Sequence, residues 1–181
     1  THDMTIHRLP RPGDQLSTTA RTVGIEQRKP GVYVLTRLDT VDQTCALVTT
    51  TDHGTLYLGV GVEGDLERGF SSRQAGRASA KPLRAESGAF SWQLQVPVAS
   101  DLARAYSEGS RIWNPIHTDR AAAVQAGLPD VILHGTATLA LAISQVLEYE
   151  GESAERVSRI ACRFGAMVLM PSTLIIRGAR S

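Results

Sequence analysis

Two histidines carry the residue types and spacing that could do chemistry. His117 closes the run Asn114-Pro115-Ile116-His117, and His134 follows seventeen positions later in His134-Gly135-Thr136. Asn-Pro marks a turn, and a turn can present an imidazole at its end. His134-Gly135-Thr136 opens a long apolar run that reads as a helix. The first N–H groups of a helix have no intrahelical acceptor and sit at the positive end of its dipole. Gly135 has no side chain, so a ligand could reach that backbone closely. An imidazole beside such a helix end can move a proton while the N–H groups polarise a carbonyl, as an oxyanion hole does. This pairing suits chemistry at Cα and Cβ of a thioester. A purely structural use of the same residues is also open, with His117 capping a turn and His134 starting a helix.

Other chemistries are weaker on this sequence. His117, His134 and Asp119 form the one cluster that could suggest a metal, but no HExxH or HxH spacing supports it. The run Gly59-Val60-Gly61-Val62-Glu63-Gly64 matches GxGxxG, which needs to open a helix at a pyrophosphate. Here acids and a loop-like stretch follow, so a glycine-rich bend after a strand is the better reading. No GxSxG occurs, which removes the usual serine-hydrolase elbow.

These residues must be positioned by a scaffold that begins as β. The segments 14–28, 31–41, 45–52 and 55–62 are Thr- and Val-rich or alternate apolar with polar residues. Turn signals stand at Lys29-Pro30-Gly31, near Asp42 and at Asp52-His53-Gly54, giving four strands in an antiparallel meander. Residues 65–88 are Arg-, Ser-, Ala- and Gly-rich and read as a linker or mobile loop. Phe90, Trp92, Leu94 and Val96 then share one face of a strand. Helices follow: one opening at Ser100, a short one with Thr118 as cap and Asp119 in its first turn, and a long one over 135–150. At about 1.5 Å per residue the long helix spans roughly 24 Å. Its first half is small or apolar on every side, so it should be buried. The segments after 156 return to β. A sheet wrapped round a central helix would bury such a helix. A faint internal echo links Arg11–Arg21 with Leu169–Arg180, each a Pro or Gly turn before a Leu-led strand.

Composition narrows the class further. The 181 residues are 42% hydrophobic and 20% charged, with a net charge of +1, so neither nucleic acid nor an anionic membrane is an expected partner. No apolar run approaches the roughly 20 residues of a membrane span. Cys45 and Cys162 stand apart, outside any CxxC pattern, and read as reduced thiols of a cytoplasmic protein. The start lacks a signal pattern and Met stands fourth, which suggests a trimmed chain.

The run from Tyr106 to Ala142 resembles the MaoC-like family of hotdog-fold (R)-specific enoyl-thioester hydratases and dehydratases. Tyr106, Ser110, Asn114, Pro115, Ile116, His117, Gly127, Pro129, His134 and Gly135 fall in register with that family's pattern. Similar stretches reach back to residues 7–31 and forward through 159–177. The resemblance implies an α+β hotdog fold, an antiparallel sheet round a long central helix, as a double hotdog or part of one. It divides the chain into an N-terminal β portion (1–64), the linker (65–88) and a C-terminal unit (89–181). Each half looks short of strands, so open edges call for a homodimer, a hetero-oligomer or further polypeptide. The implied substrate is a 2-enoyl or 3-hydroxyacyl thioester on CoA or an acyl carrier protein, with no cofactor and no metal. His117 and Asn114 would be catalytic, with Gly135, Thr136, His134, Trp113 and Arg111 binding substrate.

One departure bears on the reaction. The pattern's Asp falls on Ile112 and its Gly on Arg111. Ile cannot transfer a proton, and losing one general acid or base typically costs about 10²–10⁴-fold. Glu108 is the candidate substitute acid, since Asp119 is expected to serve the following helix. The alternatives are a hotdog subunit without hydratase activity, serving ligand binding or assembly, and another thioester reaction such as hydrolysis.

Overall fold

A computed structural model describes residues 1–64 and 90–179; the 65–88 stretch read as a linker lies outside the described residues. The strands are β1 (His2–Ile6), β2 (Ser17–Arg28), β3 (Gly31–Val41), β4 (Leu47–Leu58), β5 (Trp92–Val98), β6 (Arg159–Cys162) and β7 (Ser172–Gly178). The α-helices are α1 (Leu102–Ser110), α2 (Arg120–Gln125) and α3 (Gly135–Glu150). Two compact units result. One contains β1 to β4 together with Ser153–Arg163; the other contains β5, the helices and Phe164–Ser181.

The first unit is an antiparallel sheet in the order β2-β3-β4-β1-β6. β3 is buried at Val32, Tyr33 and Leu35. Tyr33 is fixed at both ends, with its hydroxyl bonded to Thr1 Oγ1 and the Arg28 guanidinium over its ring. The turn expected at Asp52-His53-Gly54 is absent, and β4 runs through it as one twelve-residue strand. Arg37 grips Asp52 through two 2.7 Å hydrogen bonds across the β3–β4 ladder, so the acid serves the sheet. Gly54 sits under the Tyr33 hydroxyl, where a Cβ would collide. The signals of a turn are here the signals of a cross-strand pair and a close approach. β1, which has too few apolar residues to alternate, pairs with both β4 and β6.

The glycine-rich run 59–64 follows the end of β4, and Gly59 turns at φ 69° with its N–H bonded to the Pro30 carbonyl. Residues 59–64 themselves hold no helix, and the stretch after Gly64, where one would open, lies outside the described residues.

The second unit pairs β5 with β7, Trp92 opposite Gly178 through Val98 opposite Ser172. From Trp92 on β5 alternates as expected, with Trp92, Leu94, Val96 and Val98 inward and Gln93, Gln95 and Pro97 exposed; Phe90, expected on the same face, precedes the strand and is exposed. Its core joins Val98, Ala103, Leu133 and Ala137, flanked by Tyr106, Leu141 and Leu174. The Trp92 ring lies 4.6 Å from that of Tyr149, tying β5 to α3. The long helix has the bounds the sequence indicated, but it is not buried all round: Ala137 alone is fully buried and Ala140 is exposed. Within its unit the sheet that could cover it has two strands. None of the described helices is long and apolar enough to cross a membrane.

Candidate active site

The motif around His117 is built by caps. Asn114 Oδ1 accepts from the Ile116 N–H at 3.4 Å and opens a single 3-10 turn, Pro115–His117. Pro115 suits this first position, because its ring presets φ and the missing N–H is not needed there. The next helix, α2, is capped by Asp119, whose carboxylate accepts from the N–H groups of Ala121 and Ala122. Thr118 was the expected cap. Both residue types cap well, and the chain uses Asp119, whose single oxygen Oδ1 accepts from both donors.

Ile132, in the segment leading into α3, then fixes the turn from the other side. Its N–H donates to the Ile116 carbonyl at 3.4 Å, and its carbonyl accepts from His117 Nδ1 at 2.7 Å. A carbonyl cannot donate, so Nδ1 carries the proton of that bond. The neutral ring therefore keeps its lone pair on Nε2, which makes Nε2 the basic nitrogen. Leu133 N–H, bonded to the Val168 carbonyl at 2.8 Å, anchors the same segment to the unit's core.

His134 occupies the N-cap position of α3 but makes no capping bond with its side chain. The ring instead stacks on His117, with centroids 3.7 Å apart and planes 24° apart. It is 3% exposed, and its Nε2 lies 3.3 Å from Ser107 Oγ on α1. Among the described residues no group lies within hydrogen-bonding geometry of its buried Nδ1 atom. Burial holds the His134 imidazole below its ordinary pKa, the His117 ring adds to this, and the Ile112 backbone opposes it. His134 is therefore disposed to stay neutral beside His117.

Since His134 turns away from the helix end, nothing caps α3 from its own N-cap side chain. The first intrahelical bond is Thr138 N–H to the His134 carbonyl, so the N–H groups of Gly135, Thr136 and Ala137 have no helical acceptor. Gly135 lies under the Phe164 ring, and an added Cβ would stand 3.1 Å from two ring carbons.

The remaining expected residues are distributed around this centre. Arg111 ends α1 in the left-handed conformation, φ 56° and ψ 33°. This is the position of the family pattern's Gly, so Arg keeps the backbone shape that Gly would adopt freely. Ile112 and Trp113 are 44% and 63% exposed, leaving an apolar lip before Asn114. Thr136 and Glu108 are exposed. A cleft of about 260 Å³ adjoins His117 and is walled by Asp101, Arg104, Thr118, Arg120 and Val131 as well. Glu108 is not one of its walls.

Ser107 and Tyr106 escaped the sequence reading as contacts of this site. Ser107 is 1% exposed, and the Tyr106 ring lies 5.0 Å from that of His134. A signal existed: Ala103, Tyr106 and Ser107 are spaced to share one face of α1, and a Ser on a buried stripe calls for a polar partner.

Comparisons with known proteins follow this geometry. The family profile described as MaoC like domain matches residues 85–181. A stretch of 91 residues, 49% of this chain, is 33% identical to the fatty acid synthase beta subunit of Emericella nidulans and covers 5% of that protein. The full-length peroxisomal multifunctional enzyme type 2 of Drosophila melanogaster superposes with a TM-score of 0.81 at 21% identity, covering 99% of this chain and 31% of that one. A MaoC-like dehydratase of Phytophthora capsici gives 0.81 at 19% identity, with 99% and 60% coverage. A double-hotdog protein of Mycobacterium tuberculosis gives 0.62 at 20% identity, with 96% and 60% coverage. These likenesses assign the hotdog fold, and the chain spans less than two thirds of the length of each of these relatives.

Proposed function

The chain belongs to the MaoC-like family, and from that premise we propose that it catalyses reversible hydration of a 2-enoyl thioester to the 3-hydroxyacyl thioester. The observation that carries the proposal is His117, whose Nδ1 is tied to the Ile132 carbonyl and whose Nε2 is left as the basic nitrogen. In the hydration direction water adds to Cβ and a proton reaches Cα. Nε2 exchanges one of the protons that move. The electron pair displaced from the double bond loads charge onto the thioester oxygen. The unpaired N–H groups of Gly135 and Thr136 suit that oxygen, with the helix dipole adding to the attraction.

Asn114 shapes the turn that presents His117, and His134 backs the His117 ring from its buried side. Trp113 and Arg111 stand at the exposed lip, where they can contact the acyl group or its carrier, CoA or an acyl carrier protein. A hotdog of this kind is expected to work with a second subunit or further polypeptide, since among the described residues β5 pairs with β7 alone.

The test is hydration of crotonyl-CoA, followed by loss of the enoyl-thioester absorbance. His117→Ala should lower kcat/KM by about 10²–10⁴-fold. Unchanged turnover in that variant would overturn the assignment. A second reading, a ligand-binding subunit without hydratase activity, is favoured by the exposed Ile112 at the position of the pattern's Asp. Turnover by the wild-type chain excludes it. Release of free acid from an acyl-CoA would instead indicate thioester hydrolysis.

A further inference from the structure

Hydration moves two protons, one off water and one onto Cα, and Ile112 removes one of the groups that would share the work. The described carboxylates around His117 differ in how far they are already committed. Asp119 spends its side chain on the N–H groups of Ala121 and Ala122. Asp130 accepts from the Val131 N–H at 2.7 Å and faces Arg120 Nε at 3.7 Å. Glu108 is exposed and is not a wall of the His117 cleft.

Asp101 is different. It is a wall of the same cleft as His117. It also occupies the N-cap position of α1, yet its side chain makes no capping hydrogen bond. An Asp at this position ordinarily accepts from the second or third helical N–H, which is worth about 1 kcal/mol. Asp119, extended at φ −120°, does this at the start of α2, whereas Asp101 has a helical backbone at φ −99° and ψ −3°. Asp101 therefore makes no such bond; like Glu108 it is exposed, but unlike Glu108 it is a wall of the cleft. Two guanidiniums share the walls, and among the described residues Arg104 Nη2 reaches the Thr118 carbonyl at 3.5 Å and Arg120 Nε reaches Asp130 at 3.7 Å. Their remaining donors can hold an acyl or thioester oxygen.

We propose that Asp101 is the second acid/base group of the site, acting from α1 in place of the carboxylate that Ile112 has replaced. This rests on the hydratase reading. In hydration the Asp101 carboxylate takes a proton from water as the water oxygen bonds to Cβ. The π pair moves to Cα and the thioester carbonyl. The His117 imidazolium gives its Nε2 proton to Cα and becomes neutral, still donating from Nδ1 to Ile132. The pair has then passed one proton from His117 to Asp101, and it resets when Asp101 returns that proton to His117 through a water molecule. Dehydration runs the same steps in reverse. Three carboxylate positions in the neighbourhood are thus assigned distinct work: Asp119 and Asp130 hold backbone, and Asp101 handles protons.

The test compares wild type, Asp101→Asn and Asp101→Glu in the full chain, with crotonyl-CoA hydration measured across pH 5 to 9. Asp101 makes no capping bond, so Asn removes none from α1 and thermal unfolding should be unchanged. The expected result is a kcat/KM lower by about 10²–10⁴-fold in Asp101→Asn, with partial recovery in Asp101→Glu. The loss in Asp101→Asn should persist across the whole pH range, because an amide cannot take the proton at any pH. A profile and rate within twofold of wild type for Asp101→Asn would overturn the inference and leave the hydratase reading standing. Absence of hydration by the wild-type chain would overturn both.

Discussion

His117 and His134 lie ring on ring, 3.7 Å between centroids, although seventeen residues separate them in the chain. Two stacked imidazoles do not both accept charge easily, and burial already disfavours the charged form of His134. Since its folded pKa is lowered, the unfolded chain binds more protons below the ordinary imidazole value of about 6.5. The contribution of His134 is therefore fully present above that value and is lost as pH falls from there toward the lowered folded pKa. Urea midpoints at pH 7.5, 6.5 and 5.5 should decline in wild type and decline less in His134→Gln. Some slope should persist in the variant, because burial lowers His2 and His53 in the same direction. An equal or steeper decline in His134→Gln would contradict this account.

Arg111 holds a left-handed backbone in which a Cβ costs about 1–2 kcal/mol. Glycine removes that cost but gives back roughly 0.5–1 kcal/mol in unfolded-state entropy. Arg111→Gly should thus raise stability by up to about 1 kcal/mol, whereas Arg111→Ala, which keeps the Cβ, should not. Chemical denaturation of both variants separates strain from the loss of the guanidinium. A gain in the alanine variant would show that the charge, not the backbone, is the unfavourable element.

Gly135 tests the helix-end contribution to the site. In Gly135→Ala the new methyl stands 3.1 Å from the Phe164 ring, which is 43% exposed and has room to tilt. Stability should change by no more than about 1 kcal/mol, because better helix propensity offsets the tight contact. The thioester, however, would be kept off the N–H groups, and a displacement of this size can lower kcat/KM by about 10²-fold. Full turnover with an unaltered KM would show that the carbonyl does not use this helix end.

Much of this was legible in the sequence because it is local. The bounds of α3, the inward set Trp92, Leu94 and Val96, and the bend after β4 all follow from period and turn chemistry within a few residues. The meeting of His117 with the start of α3 could be inferred because a short capped helix is all that separates them. What was not legible depends on distant partners. Asp52-His53-Gly54 looks like a turn until Arg37 and Tyr33 arrive from β3. β1 has no periodicity of its own and is a strand because β4 and β6 flank it. The expected Thr118 cap fell one residue short, since neighbouring Thr and Asp satisfy the same local rule. The start of α1 shifted in the same way: Ser100 was the expected cap, and Asp101 holds the N-cap position without a side-chain bond.

The position of β6 has a consequence for how the chain is made. This strand flanks β1 in the first unit, yet it is encoded after α3. During translation, β1 through β4 emerge early, but the neighbour on the other side of β1 emerges only once Cys162 has left the ribosome. Until then the nascent sheet exposes one row of unpaired β1 backbone groups, and a chaperone or a stray strand could occupy it. Neither unit is a continuous cassette that could be cut out and moved alone. A gene fragment stopping before Ser153 would therefore encode a first unit without its closing strand.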